Sequence, residues 1–178
     1  MTVIHATDPT TQVLSLLYQQ REDVRMLITE RNNSSEVQRA IRSDDVVMML
    51  GHDNEYGLFS KPEKNGEYRR FLITDRHVQF LRDKLCIGIW CYANKFAEKY
   101  RFHGLFSGMI ISELQEAIDL GVPATKEEID REMKKFTLRL KDCIETYGLK
   151  QTPPRMKELD DVQSALTKFN YSNLYYYE

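Results

Sequence analysis

The sequence predicts an α/β fold, a three-layer α/β/α sandwich around a mostly parallel sheet of about five strands. Two observations predict it. Short apolar runs alternate with segments of helical periodicity, which is the signature of successive βαβ units. Three of these runs, VVMML, IGIW and LFSGMII, are almost continuously apolar. Strands that helices cover on both faces have this character, whereas half-solvated strands alternate.

The predicted elements follow one another in this order. Strands are expected at residues 2–5, 24–29, 45–51, 86–91 and 105–111. Capping and stop signals place helices between and after them. These helices run from Asp8 toward Gln20, from 33 to 42, from Thr74 past Leu81, over 93–100, from Ser112 (with the Ser112–Gln115 capping-box spacing) to Gly121, from Thr125 to just before Gly148, and over 157–169.

Length and composition fit a soluble intracellular protein. A chain of 178 residues buries roughly 70% of its unfolded surface and needs no disulfide or metal to fold. The net charge of −2 argues against a nucleic-acid partner. No apolar run approaches the ~20 residues that cross a bilayer, and residues 1–11 lack a signal-peptide layout. Three cysteines without a CxxC motif fit a reducing compartment. We therefore expect a cytoplasmic protein with no membrane partner.

Two side chains with the chemistry of a hydrolase end consecutive predicted strands. His52 closes the strand MMLGH, and Cys91 closes the strand IGIWC. Open parallel sheets bind ligands beyond the carboxyl ends of their strands. If these strands are neighbours, the Cys91 thiolate can attack a carbonyl carbon while the His52 imidazole donates a proton to the leaving group.

A purely structural interpretation of the pair stays open, because cysteine and histidine at strand ends frequently serve packing alone. Other chemistries find no support in the sequence. It has no G-x-x-x-x-G-K-[ST], G-x-G-x-x-G or G-x-S-x-G motif. The histidines and cysteines lack metal-ligand spacing. We therefore expect neither a metal nor a cofactor.

The stretch VVMMLGH, followed by YGLF and FLITDRHVQFLRDKLCIGIWCYAN, resembles the catalytic half of the caspase-like cysteine peptidases, and its pattern is nearest to that of CHAT domains. The shared pattern is an apolar strand ending in His, a small segment with a leucine-rich helix, and an apolar strand ending in Cys. The resemblance covers about residues 45–112. It implies a caspase-like domain over residues 1–152 that cleaves peptide bonds through a dyad of Cys91 and His52.

The resemblance also implies an oxyanion hole, formed by backbone N–H groups of the nucleophile and of the residue after the histidine. That residue is Asp53 here, where the family has glycine. Tyr92-Ala93-Asn94 follows Cys91, where the family has Thr-Gly or Ser-Gly. We assign Asp53, Asn54 and Tyr92 to the oxyanion or pocket region.

A second candidate region follows the first predicted strand. Asp8, Thr10 and Thr11 open a predicted helix, so hydroxyls and backbone N–H groups there can hold an anion, although simple helix capping explains them as well. In a caspase-like protein this loop borders the substrate cleft, where Asp8 can select a basic side chain.

Two alternatives to the peptidase remain. One is a catalytically inactive caspase-like module that binds a protein partner or a small anionic ligand. The other is a flavodoxin-like module with phosphate at Thr10 and Thr11. Residues 153–178 are expected to form a C-terminal helix and a tyrosine-rich tail that packs on the domain or extends from it. The sequence does not choose between these arrangements of the tail.

Overall fold

The computed structural model of the chain describes residues 1–6, 9–29, 31–60 and 70–178. Its strands share a pattern of short, mostly buried segments. They are β1 (Thr2–His5), β2 (Met26–Ile28), β3 (Val46–Leu50), β4 (Asp53–Asn54), β5 (Gly57–Phe59), β6 (Phe71–Ile73), β7 (Leu85–Ile89), β8 (His103–Ser107) and β9 (Leu174–Tyr177).

The α-helices vary in length from four to 33 residues. They are α1 (Ser34–Ser43), α2 (Val78–Leu81), α3 (Ala93–Tyr100), α4 (Leu114–Asp119), α5 (Lys126–Glu158) and α6 (Ala165–Ser172). Two 3-10 helices span Gln12–Leu17 and Asp75–His77. In the part of the chain that the structure describes, no helix is both long enough and apolar enough to cross a membrane.

The central sheet has the order β2-β1-β3-β7-β8-β9. The first five of these strands are parallel to one another, and β9 is antiparallel to β8. A second, smaller sheet has the order β4-β5-β6 and is antiparallel. The predicted α/β class and the mostly parallel sheet are confirmed, and the tyrosine-rich tail adds a sixth strand at one edge.

Helices cover both faces of the central sheet because its side chains alternate between two buried clusters. Val3 and Met48 point toward a cluster with the first 3-10 helix, α4, α5 and α6. Ile4 and Met49, their chain neighbours, point toward a second cluster with α1, α2 and α3. This arrangement confirms the predicted three-layer α/β/α sandwich.

Four strand predictions were wrong in their ends. The strands predicted at 24–29 and 45–51 span Met26–Ile28 and Val46–Leu50. The strand predicted at 86–91 ends at Ile89, and the one predicted at 105–111 spans His103–Ser107. The apolar signal continues past each ladder, because Trp90 and Ile110 are buried by packing rather than by strand pairing. As a result Cys91 lies just beyond β7, and His52 lies just beyond β3, rather than within the strands.

Helix predictions erred where capping residues were misread. The helix predicted from Asp8 to Gln20 is the 3-10 helix Gln12–Leu17 in the described residues, and the capping box of α4 joins Glu113 and Glu116 rather than Ser112 and Gln115.

The two predicted C-terminal helices also differ from the structure. Gly148 has a non-helical backbone (φ 74°, ψ 169°), as predicted for a helix end, yet a second helical arm follows it and carries α5 to Glu158. The last helix is therefore displaced to Ala165–Ser172.

Candidate functional site

The site forms where β3 and β7 end side by side. These strands are parallel neighbours, and beyond their last pair the Gly51 N–H donates to the Ile89 carbonyl at 3.2 Å. His52 and Cys91 follow at the same edge of the sheet and line the same cavities. The structure therefore brings the predicted pair together.

A hairpin formed by β4 and β5 holds the backbone of His52. The Phe59 N–H donates to the His52 carbonyl at 3.1 Å. The bend before the histidine depends on Gly51, whose φ of 148° is unfavourable for other residues. The His52 side chain is 16% exposed. Its Nε2 shares a hydrogen bond with the Thr10 hydroxyl and lies 3.9 Å from Glu113 Oε1.

Cys91 occupies a sharp turn between β7 and α3. The Ser107 hydroxyl accepts a hydrogen bond from the Trp90 N–H (2.9 Å) and donates one to the Trp90 carbonyl (2.7 Å). The Tyr92 N–H donates to the Gly108 carbonyl at 3.2 Å. Tyr92 itself has a left-handed backbone, with φ 66° and ψ 23°. Such conformations are costly for bulky residues and occur frequently at functional sites.

The acceptors near the half-buried Cys91 thiol include the Ile110 carbonyl and the Glu116 carboxylate. The sulfur lies 3.7 Å from the Ile110 carbonyl oxygen and 3.9 Å from Glu116 Oε1. The other carboxylate oxygen of Glu116 accepts hydrogen bonds from the Ser112 N–H at 2.7 Å and from the Glu113 N–H at 3.0 Å. Glu116 is therefore held in place at the start of α4, with one oxygen against the sulfur.

The other two cysteines are in different surroundings. Cys86 and Cys143 are fully buried in the two clusters. Burial raises the pKa of the Cys86 thiol to about 12 and also raises the pKa of Cys143. Both thiols are thus protonated and shielded at neutral pH, so Cys91 is the thiol that reagents can reach.

Cavities of different size meet at the pair. A narrow one of about 30 Å³ lies between Thr10, Gly51, His52, Cys91 and Ile110, and it has room for a water molecule. An open groove of about 380 Å³ is lined by His52 and Cys91 together with Phe59, Tyr92, Met109, Glu116, Asp119 and Leu120. A third cavity of about 620 Å³ adjoins the pair through Thr10 and Glu113.

The predicted pocket residues have separate roles. Tyr92 is 43% exposed and lines the groove. Asn54 closes the β4–β5 turn, where its Oδ1 accepts a hydrogen bond from the Tyr56 N–H at 3.0 Å. Asp53 is the first residue of β4, opposite Leu58. Hydrogen-bonded and non-hydrogen-bonded pairs alternate along antiparallel strands. Since His52 and Phe59 are hydrogen-bonded, the next pair, Asp53 and Leu58, is not, and the Asp53 N–H points away from β5.

Two of the predicted anion-binding residues, Thr10 and Thr11, line the narrow cavity beside His52 and Cys91. Thr10 faces His52, whereas Thr11 is buried and its hydroxyl donates to the Ala6 carbonyl at 3.3 Å. Asp8 lies outside the described residues.

Glu113 and Glu116 are site residues that the sequence interpretation missed. They lie two and five residues after the apolar run LFSGMII, and this position, after a strand that neighbours the Cys91 strand, is the signal that was available. Their acidic side chains were assigned only to the beginning of a helix.

The described side chains show no group of three or more His, Cys, Asp or Glu residues arranged to hold a metal ion. A scan against protein-family models finds no match to the chain. A search of curated proteins also finds no matching sequence. The geometry around Cys91 is therefore the basis for assigning a function.

Proposed function

We propose that the chain is a caspase-like cysteine peptidase, in which Cys91 is the nucleophile and His52 is its proton-transfer partner. The observation that carries this proposal is that both side chains line one open groove just beyond two adjacent parallel strands. A peptide bond lying in the groove would have the sulfur on one side of its carbonyl carbon. The proposed substrate is a peptide or a protein.

Two features support a nucleophilic role for the sulfur. Cys91 is half-buried, so a substrate can reach it, whereas Cys86 and Cys143 are enclosed. The turn that carries Cys91 is fixed on both sides by hydrogen bonds to Ser107 and Gly108. A nucleophile held in one position loses little freedom when it attacks, and this accelerates the reaction.

The proposed oxyanion hole uses backbone donors. The N–H groups of Cys91 and of Asp53 are the candidates, because the ladder points the latter away from β5. Donors fixed before the reaction stabilise the negative charge that develops on the carbonyl oxygen.

A mass-spectrometric peptide-library assay tests the proposal. We expect the wild-type chain to cleave library peptides and the variant Cys91→Ala to lose that cleavage by at least about 1,000-fold, because the covalent route is removed. Native alkylation by iodoacetamide should modify Cys91 well before Cys86 or Cys143.

Two variants serve as matched controls. Cys143→Ala removes an enclosed thiol and His103→Ala removes an exposed histidine on β8, and both should keep the cleavage. If Cys91→Ala cleaved the library as fast as the wild type does, the proposal would be wrong.

The second candidate is a catalytically inactive caspase-like module that binds a protein partner. One observation favours it: the carboxylate of Glu116 lies against the Cys91 sulfur. A negative charge at this position opposes formation of the thiolate. The library assay separates the two candidates, because the binding module cleaves nothing.

A further inference from the structure

The contact between Glu116 and Cys91 assigns a chemical role to a residue outside the predicted dyad. We propose that Glu116 is a third catalytic residue, which takes the thiol proton as Cys91 attacks the carbonyl carbon, while His52 supplies the proton to the leaving group. This inference rests on the proposed hydrolase function. It divides between two side chains the base and acid roles that a Cys/His dyad gives to one.

The first argument is the position of the carboxylate. Glu116 Oε1 is 3.9 Å from Cys91 Sγ, within the distance over which a thiol donates a hydrogen bond. Glu116 Oε2 accepts from the Ser112 N–H (2.7 Å), the Ser112 hydroxyl (3.2 Å) and the Glu113 N–H (3.0 Å). Because three donors fix one oxygen, the other keeps its place beside the sulfur. The side chain is thus oriented before a substrate binds.

The second argument is the position of the imidazole. His52 Nε2 lies 3.9 Å from Glu113 Oε1 and is hydrogen-bonded to Thr10. In this position the imidazole can hold a proton and donate it to a departing amine. The Glu116 carboxylate lies beside the sulfur, where it can act as a base.

The proposed sequence of steps balances. The Cys91 sulfur bonds to the carbonyl carbon, its proton moves to Glu116, and a tetrahedral oxyanion forms. The oxyanion collapses, the C–N bond breaks, and the departing amine takes a proton from protonated His52.

Hydrolysis of the thioester restores each group. Neutral His52 takes a proton from water as the oxygen bonds to the acyl carbon. The second tetrahedral intermediate then collapses, the C–S bond breaks, and the sulfur recovers its proton from Glu116. The net change is one amide and one water converted to one acid and one amine.

The variant Glu116→Gln tests the assignment because two readouts should move in opposite directions. Iodoacetamide alkylation of Cys91 at pH 7 should accelerate about fivefold, since the negative charge that opposes the thiolate is gone. Cleavage of the peptide library should fall about 100-fold, since the base is gone. Glutamine is also accepted at this capping-box position, so α4 should still form. The groove's other titratable groups, His52, Tyr92 and Asp119, remain unchanged.

Two further variants distinguish the effect of a negative charge in the groove from the effect of a carboxylate in contact with the sulfur. Asp119→Asn removes another carboxylate of α4 that lines the groove, but this carboxylate accepts from Gln115 Nε2 rather than from the sulfur. It should change alkylation by less than about twofold. Glu116→Asp keeps the charge but withdraws it from the sulfur by one methylene. Its alkylation should not accelerate as that of Glu116→Gln does, while its cleavage rate should fall.

The outcomes distinguish the two proposals. Undiminished cleavage by Glu116→Gln, or parallel changes in alkylation and cleavage, would overturn the role of Glu116 and leave the Cys91 and His52 hydrolase standing. If the wild-type chain cleaves no library peptide, the hydrolase proposal is overturned, and the role of Glu116 as a base falls with it.

Discussion

At the scale of single residues, His77 shows how a buried titratable group makes stability depend on pH. Its Nδ1 accepts a hydrogen bond from the Thr74 N–H at 3.1 Å, so the neutral ring carries its proton on Nε2. The side chain is buried, and this burial lowers the pKa of His77. A second proton would charge a ring that has little access to water.

The expected consequence is a loss of stability in mild acid. Because the pKa is lower in the folded state, the contribution of His77 is complete above about pH 6.5 and is lost as the pH falls toward the folded-state value. His77→Gln keeps an acceptor for the Thr74 N–H but does not titrate. Urea unfolding at pH 7.5, 6.5 and 5.5 should show a smaller decline in unfolding free energy for this variant than for the wild type. The exposed His103, changed to Gln, is the control; equal declines for His77→Gln and wild type would contradict the argument.

The sequence predicted the site only in part. His52 and Cys91 were found because apolar runs end at them and parallel strands end at one edge of a sheet. Glu116 was missed because its contact with Cys91 depends on where α4 lies relative to the end of β7, which no local pattern specifies. Asn54 was predicted to belong to the pocket region. Its side chain instead accepts a hydrogen bond from the nearby Tyr56 N–H, as polar residues in tight turns commonly do.

At the scale of elements, the β4–β5 hairpin depends on Gly57. Its φ is 146°, and an added Cβ would lie 2.2 Å from the Ile73 carbonyl oxygen in β6. Real Cβ atoms do not approach backbone so closely, so any side chain here forces β5 and β6 apart. Since β5 also bonds to the His52 carbonyl through Phe59, the damage would extend to the site.

We expect Gly57→Ala to lower the unfolding free energy by at least about 2 kcal/mol, from backbone strain and the clash together. The matched control is Gly121→Ala. Gly121 also has a positive φ (64°), but its Cβ would meet no atom of the described residues within 4 Å, so the cost should be about 1 kcal/mol. Urea unfolding of both variants measures the difference. Equal losses would show that the approach to Ile73 is unimportant.

The sequence predicted best those elements whose ends are marked by local capping residues. Asn33 with Glu36, and Thr125 with Glu128, form the capping boxes of α1 and α5. The second arm of α5 lacked such a signal, because Gly148 and the following prolines read as an end. There the contacts of Met156 with the core decide the structure instead.

At the scale of the whole molecule, the tyrosine-rich tail completes the sheet. Leu174 is 3% exposed and belongs to the same cluster as α5 and α6. We expect Leu174→Ala to lower the unfolding free energy by about 2–4 kcal/mol, from lost burial and the cavity left behind.

Tyr175→Ala removes a larger side chain that is 38% exposed, and its cost should be smaller. Thermal and urea unfolding compare the two variants. If Leu174→Ala lowered the unfolding free energy by less than Tyr175→Ala does, the packing of the tail as described would be contradicted.

The fold class was predictable at this scale, whereas the sixth strand was not. Apolar strands between helices specify a covered parallel sheet, and each of those strands carries its own pattern. The segment Leu174–Tyr177 lies at the sheet edge with mixed exposure. Its strand conformation follows from pairing with β8, which is distant in the chain.

The segment around β9 also supports the turn that carries Cys91. Leu174 pairs with Ser107, whose hydroxyl accepts a hydrogen bond from the Trp90 N–H. The Asn173 carbonyl accepts a hydrogen bond from the Gly108 N–H at 2.9 Å. The Gly108 carbonyl in turn accepts a hydrogen bond from the Tyr92 N–H. Residues far apart in the sequence are thereby coupled, since the backbone at Asn173 supports the segment that fixes the turn carrying Cys91.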